Sequence, residues 1–270
     1  MAITTVDGMV AAARQAIPWT KTASATTVAA QWSSLLDVAG QPGAGSLSVG
    51  NTANGLLCDH TVAGFPTITA FGGGATGYLA SVAFANTVAC RFQLYDRLWH
   101  VGSISLLTLA TTTLTAQPSF LGRTTDGAGV GLEIWLEINA AVSATATTVA
   151  VGYTNSDGTA GRTTGATASL SGYATRRLIQ LPLQAGDRGV QRIDSVTVGG
   201  TVATTGTVNV IVARVLWEGG SVRVANGGDL HGWDRVGMPV IFPATALWPV
   251  IAADSTSSGV PYMLLTVING

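Results

Sequence analysis

Leu132-Glu133-Ile134-Trp135-Leu136-Glu137-Ile138 is the stretch that decides the fold class. Four aliphatic residues alternate with Glu, Trp and Glu, the period of two that sends successive side chains to opposite faces of a strand. The pattern predicts one face packed on a core and an exposed row of Glu133, Trp135 and Glu137 on the other. The two carboxylates are not a catalytic pair on such a strand. Positions four apart lie about 13 Å from one another at a rise of ~3.3 Å per residue, beyond the roughly 5–9.5 Å of paired glycosidase carboxylates. Trp135 between two glutamates reads instead as an interface anchor.

Outward from this strand the same grammar continues. Residues 147–153 alternate and run into the turn Asn155-Ser156-Asp157-Gly158, and further strand signals lie at 178–183, 193–198, 208–216 and 262–268. Short strands at this density predict a mainly β chain: a β-sandwich body over residues 56–270 with jelly-roll-like or Greek-key connections. No repeat of fixed period points to a propeller or solenoid.

Residues 1–55 read differently. Val6, Met9, Val10 and Ala13 recur at helical spacing until Ile17-Pro18, and Val28, Trp32, Leu35 and Leu36 form a second apolar stripe that Gly40 and Pro42 end. The Gly/Ser/Asn-rich stretch 41–55 follows as a loop or extended arm. The expectation is a helical N-terminal segment able to reach a neighbouring subunit.

Composition narrows the function. Hydrophobic residues make up 47% of the 270 positions and Asp, Glu, Lys and Arg together only 10%, well below the roughly 25% of an average soluble protein, so much of the surface is uncharged. With a formal net charge of −1, little electrostatic repulsion keeps copies apart, and permanent assembly, including a homo-oligomer, is expected. No long uninterrupted apolar run predicts a membrane span, and the N-terminus lacks the pattern of a secretory signal, so synthesis in a cytoplasm is expected. Cys58 and Cys90 are two cysteines in a long chain and read as reduced core thiols.

The search for chemistry returns structural readings. His60, His100 and His231 each have an Asp nearby in sequence, but no nucleophile elbow or zinc-protease helix accompanies them. Gly72-Gly73-Gly74 and Gly127-Ala128-Gly129 lack the Gly-Lys-Ser/Thr that completes a phosphate loop, and Asn155-Ser156-Asp157-Gly158 lacks the carboxylates of a calcium loop. No cofactor or metal is expected. Twelve of the thirteen basic residues are Arg and Lys21 is the lone lysine; they are scattered apart from Arg176-Arg177. That spacing is no nucleic-acid footprint, whereas arginine suits interface ion pairs, which makes Arg176 and Arg177 contact candidates beside Trp135, Glu133 and Glu137.

Three stretches carry a resemblance: Tyr95-Asp96-Arg97-Leu98-Trp99-His100, the run from Tyr153-Thr154-Asn155 through Gly161-Arg162-Thr163, and Leu181-Pro182-Leu183-Gln184-Ala185-Gly186-Asp187-Arg188-Gly189-Val190. In this order and in a Thr/Ala/Gly/Val-rich setting they resemble structural proteins of tailed bacteriophages. The resemblance implies a virion component without catalysis and does not fix its place in the particle; the first expectation is a capsid-associated or decorating protein whose partners are other virion proteins, above all the capsid, and the scattered basic residues predict no direct contact to nucleic acid. A neck, tail or fibre component, or a glycan-binding module for host recognition, is the alternative it leaves.

Overall fold

The alternation around Trp135 does build a strand, but one enclosed on both faces. The computed structural model describes every residue except Met1, Ala2, Thr4 and Gly74. The strands are β1 (Ala13–Lys21), β2 (Trp32–Ser34), β3 (Gly40–Gln41), β4 (Leu56–Leu57), β5 (Gly77–Asn86), β6 (Cys90–Ser105), β7 (Thr111–Thr113), β8 (Leu132–Ala140) and β9 (Thr147–Asn155). They continue as β10 (Arg162–Ala166), β11 (Leu178–Leu181), β12 (Val190–Gly200), β13 (Thr207–Val222), β14 (Gly227–His231), β15 (Val240–Ile241), β16 (Leu247–Ala253) and β17 (Tyr262–Asn269). Two short helices, α1 (Val6–Ala11) and α2 (Trp233–Val236), accompany them.

The seven-stranded central sheet has the order β11-β8-β13-β6-β16-β2, with β4 beside β6. Its spine is β6 and β13, sixteen residues each and antiparallel to one another. One face of this long sheet is shared by two smaller ones. Toward one end, Ile134, Leu136, Val210 and Val212 cluster with Val149, Val151, Ile193 and Val196 of the four-stranded sheet β10-β9-β12-β7. Toward the other end, Phe92, Leu94, Leu247 and Ile251 cluster with Trp19, Leu79, Phe84 and Leu265 of the six-stranded sheet β14-β5-β17-β1-β3. The chain is therefore mainly β with a sandwich-like body, as its period-two runs predict.

On the opposite face, Tyr95, Trp135, Ile211 and Trp248 form a third cluster with Leu36, Leu47, Cys58 and Phe65. This corrects the exposed Glu-Trp-Glu row: Trp135 is 2% exposed and Glu137 fully buried. β8 lies between β11 and β13, and the chain running from β2 toward β5 covers the face that alternation alone assigns to solvent.

The N-terminal segment is corrected in the same way. Residues 24–36 form no helix but turns and the strand β2, and the helix α1 stops at Ala11. From Ala13 the chain is β1, paired with β17 from Ala13↔Asn269 to Thr20↔Tyr262, with Ile17, Trp19 and Lys21 turned inward. Pro18 is tolerated because the far flank of β1 is paired only at Thr20 and Lys21. The stretch 41–55 lies on the body as a strap: Gly45 N donates to Leu36 O (2.8 Å) and Leu47 O accepts from Asn209 Nδ2 (2.7 Å). At the end of the strap Gly55 has φ +70° against the Trp99 ring, where a Cβ would collide with the indole.

The central sheet also curls until its edges meet. Ser33 bridges Arg177, and Ser34 N donates to Arg176 O (2.9 Å), so the residues leading into β11 lie beside β2.

Candidate functional site

The most deeply enclosed ion pairs of this chain gather around adjacent residues of β6. Asp96 is fully buried on the face that carries the smaller sheets. Its Oδ1 accepts from Ala246 N (3.0 Å) and lies 3.4 Å from Arg123 Nη2; its Oδ2 accepts from Thr245 Oγ1 (3.3 Å) and Arg214 Nη2 (3.4 Å). Both arginines are held in turn by backbone: Arg214 Nη2 donates to Val240 O (2.8 Å), and Arg123 donates to Arg97 O (3.0 Å) and to Ala244 O. Burial pushes the Asp96 carboxyl above the usual carboxylate range, and the Arg123 and Arg214 guanidinium groups with the Ala246 amide pull it back.

Arg97 points the other way. Its guanidinium binds Glu137 through Nη1 and Nη2 (3.2 Å), stands 5.2 Å from the Trp248 ring centroid, and its Nε donates to His100 Nδ1 (3.2 Å). Glu137 Oε2 also accepts from Asn209 Nδ2 (2.8 Å), the amide that holds Leu47 O of the strap. Burial, with Arg97 beside it, pushes His100 down to about 2, so its ring is neutral at physiological pH.

A third cluster joins the other two stretches singled out in the sequence. Asp187 accepts from Tyr153 Oη (2.6 Å), Asn155 Nδ2 (2.7 Å), and Arg162 Nε and Nη2 (both 2.9 Å), while Tyr153 Oη accepts from Gln184 N (2.7 Å). The Arg162 guanidinium beside it, helped by Tyr153 and Asn155, holds the Asp187 carboxyl well below its usual range. The turn after β9 and the turn before β12 are thereby clasped together.

The contact candidates occupy different places. Trp135 Nε1 donates to half-buried Glu133 (2.9 Å) and its ring meets Tyr95 edge-on at 5.5 Å, so neither Trp135 nor Glu137 presents a surface to a partner. Arg176 makes a bidentate pair with Asp37 (both 2.8 Å), and Arg177 donates to Gln31 Oε1 (3.1 Å) and stacks on Tyr173 at 3.5 Å. These two arginines latch the meeting edges of the central sheet. The sequence signal for the Asp96 and Arg97 clusters is the adjacent opposite charges within an apolar strand.

The remaining candidates make structural contacts. His60 Nδ1 accepts from Ile68 N (3.4 Å) and His231 Nδ1 from Trp217 Nε1 (3.2 Å), so both, like His100, use that nitrogen as an acceptor. The Asn155 side chain closes its own turn, accepting from Asp157 N (3.1 Å) and Thr159 N (2.9 Å). Among the described residues no group of three or more His, Cys, Asp or Glu side chains is placed to hold a metal ion; of the triple glycine, Gly74 lies outside the described residues. Cys58 and Cys90 are free and buried, and burial pushes their thiols up to about 12 and about 11. Among the described residues no helix is long and apolar enough to cross a membrane.

No known protein family matches the chain, and no curated protein matches it. Among solved structures the chain is similar to that of the infectious bursal disease virus Gx strain, with 11% identity, 96% of this chain and 80% of that chain covered, and a TM-score of 0.21. It is likewise similar to the VP2 subviral particle of infectious bursal disease virus, at 11% identity, the same coverage and a TM-score of 0.22. Likeness at this level establishes neither a shared fold nor a shared role.

Proposed function

We propose that this chain is a structural subunit of a virus particle, a capsid-associated or decorating protein of a tailed bacteriophage that works through contacts with other virion proteins and with copies of itself. One observation carries the reading. The three stretches that resemble phage structural proteins are the stretches that supply the buried Asp96 and Arg97 pairs and the half-buried clasp of Tyr153, Arg162 and Asp187, so the resemblance falls on what holds the body together rather than on a reactive cleft. A charge-poor surface over a body pinned by internal ion pairs suits permanent assembly at high local concentration. The protein is read as non-enzymatic, made in the host cytoplasm and resident in the virion, with no direct contact to nucleic acid, in keeping with a pI near 6.3.

Gold-labelled antibody against the chain, applied to purified particles, tests this. Label on the head supports the decorating role, label on neck, tail or fibre moves the subunit within the particle, and particles lacking the chain overturn the proposal.

A further inference from the structure

An exposed sheet edge with its main-chain groups unpaired is a template for another strand, and proteins blunt such edges with charge, proline, bulges or coverage. Most edges of this fold carry such a device. β11 and β2 close toward one another through Arg176 and Arg177. β14 carries Asp229, and β10 carries Arg162, a register shift between Thr163 and Ala166, and Gly165 at φ +72°. The open flank of β1 carries Pro18, and the Gln15 amide there pairs with Thr69 in both directions (2.7 and 2.9 Å).

β7 is blunted only by its length of three residues; it carries no charge, proline or register shift. It pairs with β12 through Ser195↔Thr113, Val196↔Thr112 and Thr197↔Thr111, and the ladder extends at both ends, with Val198 N donating to Ala110 O and Leu114 N to Asp194 O (both 2.9 Å). Because alternate residues of an antiparallel strand bond to the same side, the bonds at Ala110 and Leu114 turn the N–H and C=O groups of Thr111 and Thr113 away from β12, toward the open edge. No charged residue occurs between His100 and Arg123, no proline before Pro118, and Leu107 and Leu109, each 47% exposed, lead into the strand.

We infer that the β7 edge is a self-association surface, where a second copy of this chain adds its own β7 antiparallel about a two-fold axis and joins two four-stranded sheets into one. A second copy is the fitting occupant because an uncharged β7 set against itself places no like charges opposite one another, and the outward groups of Thr111 and Thr113 meet those of Thr113 and Thr111 in the partner. The inference names the contact surface of the subunit proposed above and rests on that reading.

Thr113→Pro tests it, since proline deletes an outward N–H and leaves the bonds to β12 in place; Thr113→Val keeps the donor. Sedimentation of the full chain should show an oligomer in the wild type and in Thr113→Val, with the dissociation constant of Thr113→Pro raised about tenfold or more. Amide hydrogen exchange at Thr111 and Thr113 in the wild type should be slow when concentrated and fast on dilution, a readout that stands even if the proline variant misfolds. A wild type that stays monomeric, a folded proline variant that associates as tightly, or amides that exchange fast at every concentration overturns the inference. None of these outcomes touches the proposed place in the particle, which the labelling of virions decides.

Discussion

Asp96 and Arg97 are consecutive in β6, point to opposite faces of the central sheet, and each meets partners of opposite charge: the half-buried Arg123 and Arg214 for Asp96, the buried Glu137 for Arg97. Strand alternation makes this possible with neighbouring residues. One pair of positions thereby ties the central sheet to the backbone near β15 and β16 on one face and, through Glu137 and Asn209, to the strap on the other.

Breaking the Arg97–Glu137 pair from one side should be severe. Arg97→Met leaves a fully buried carboxylate without its cation and should destabilise the fold by about 3–5 kcal/mol. The double variant Arg97→Met/Glu137→Leu should lose less than the single one, read from urea unfolding; equal or larger loss in the double variant contradicts this account.

His100 should make stability fall in mild acid. Its folded pKa, pushed down to about 2, lies below the ordinary value of 6.5, so the unfolded chain binds a proton that the folded chain refuses. The stabilisation is complete above the unfolded pKa and is lost as pH falls from there toward the folded value, with a limiting slope of about 1.4 kcal/mol per pH unit. His100→Asn should flatten that part of the stability profile between neutral and mildly acidic pH.

Asp187 has a depressed pKa, so its contribution is present above the ordinary carboxylate range and lost as pH falls through its folded value. Asp187→Asn should lower the melting temperature at neutral pH, and the difference from wild type should close only in strong acid. A constant difference across the whole range would show that charge is not what clasps the two turns.

The strap should be indispensable. Gly55→Ala forces a side chain into a left-handed conformation and against the Trp99 ring, at a cost of about 2–4 kcal/mol. Removal of residues 1–55 takes away β1, Leu35, Leu36 and Leu47 and should abolish cooperative melting and the β signal in circular dichroism.

Cys58 and Cys90 should be silent toward a thiol reagent in the native protein, since both are buried with raised pKa values, and should react together with global unfolding.

The sequence by itself determined the class of fold. Period-two runs around Ile134 and Val151, with turn residues at Asn155 to Gly158, are properties of the local chain, and the structure realises them as β8, β9 and the turn that follows. Alternation in 132–138 correctly put Leu132, Ile134, Leu136 and Ile138 on one core face. What lies on the other face is not a local property. Only the tertiary structure decided that Trp135 and Glu137 are buried, because the covering residues come from far away in sequence: Leu36 from a stripe that reads locally as a helix, Leu47 from a Gly/Ser-rich stretch that reads as a free arm, and Phe65 from the chain beyond it. The same holds for the first strand. Ile17 and Trp19 alternate inward, but the apolar positions before Pro18 fit a helical period as well, and pairing with β17 at the far end of the chain settles the choice. Long-range pairing and burial outweigh the weak intrinsic preference of a short segment, and neither is written in the spacing of its own residues.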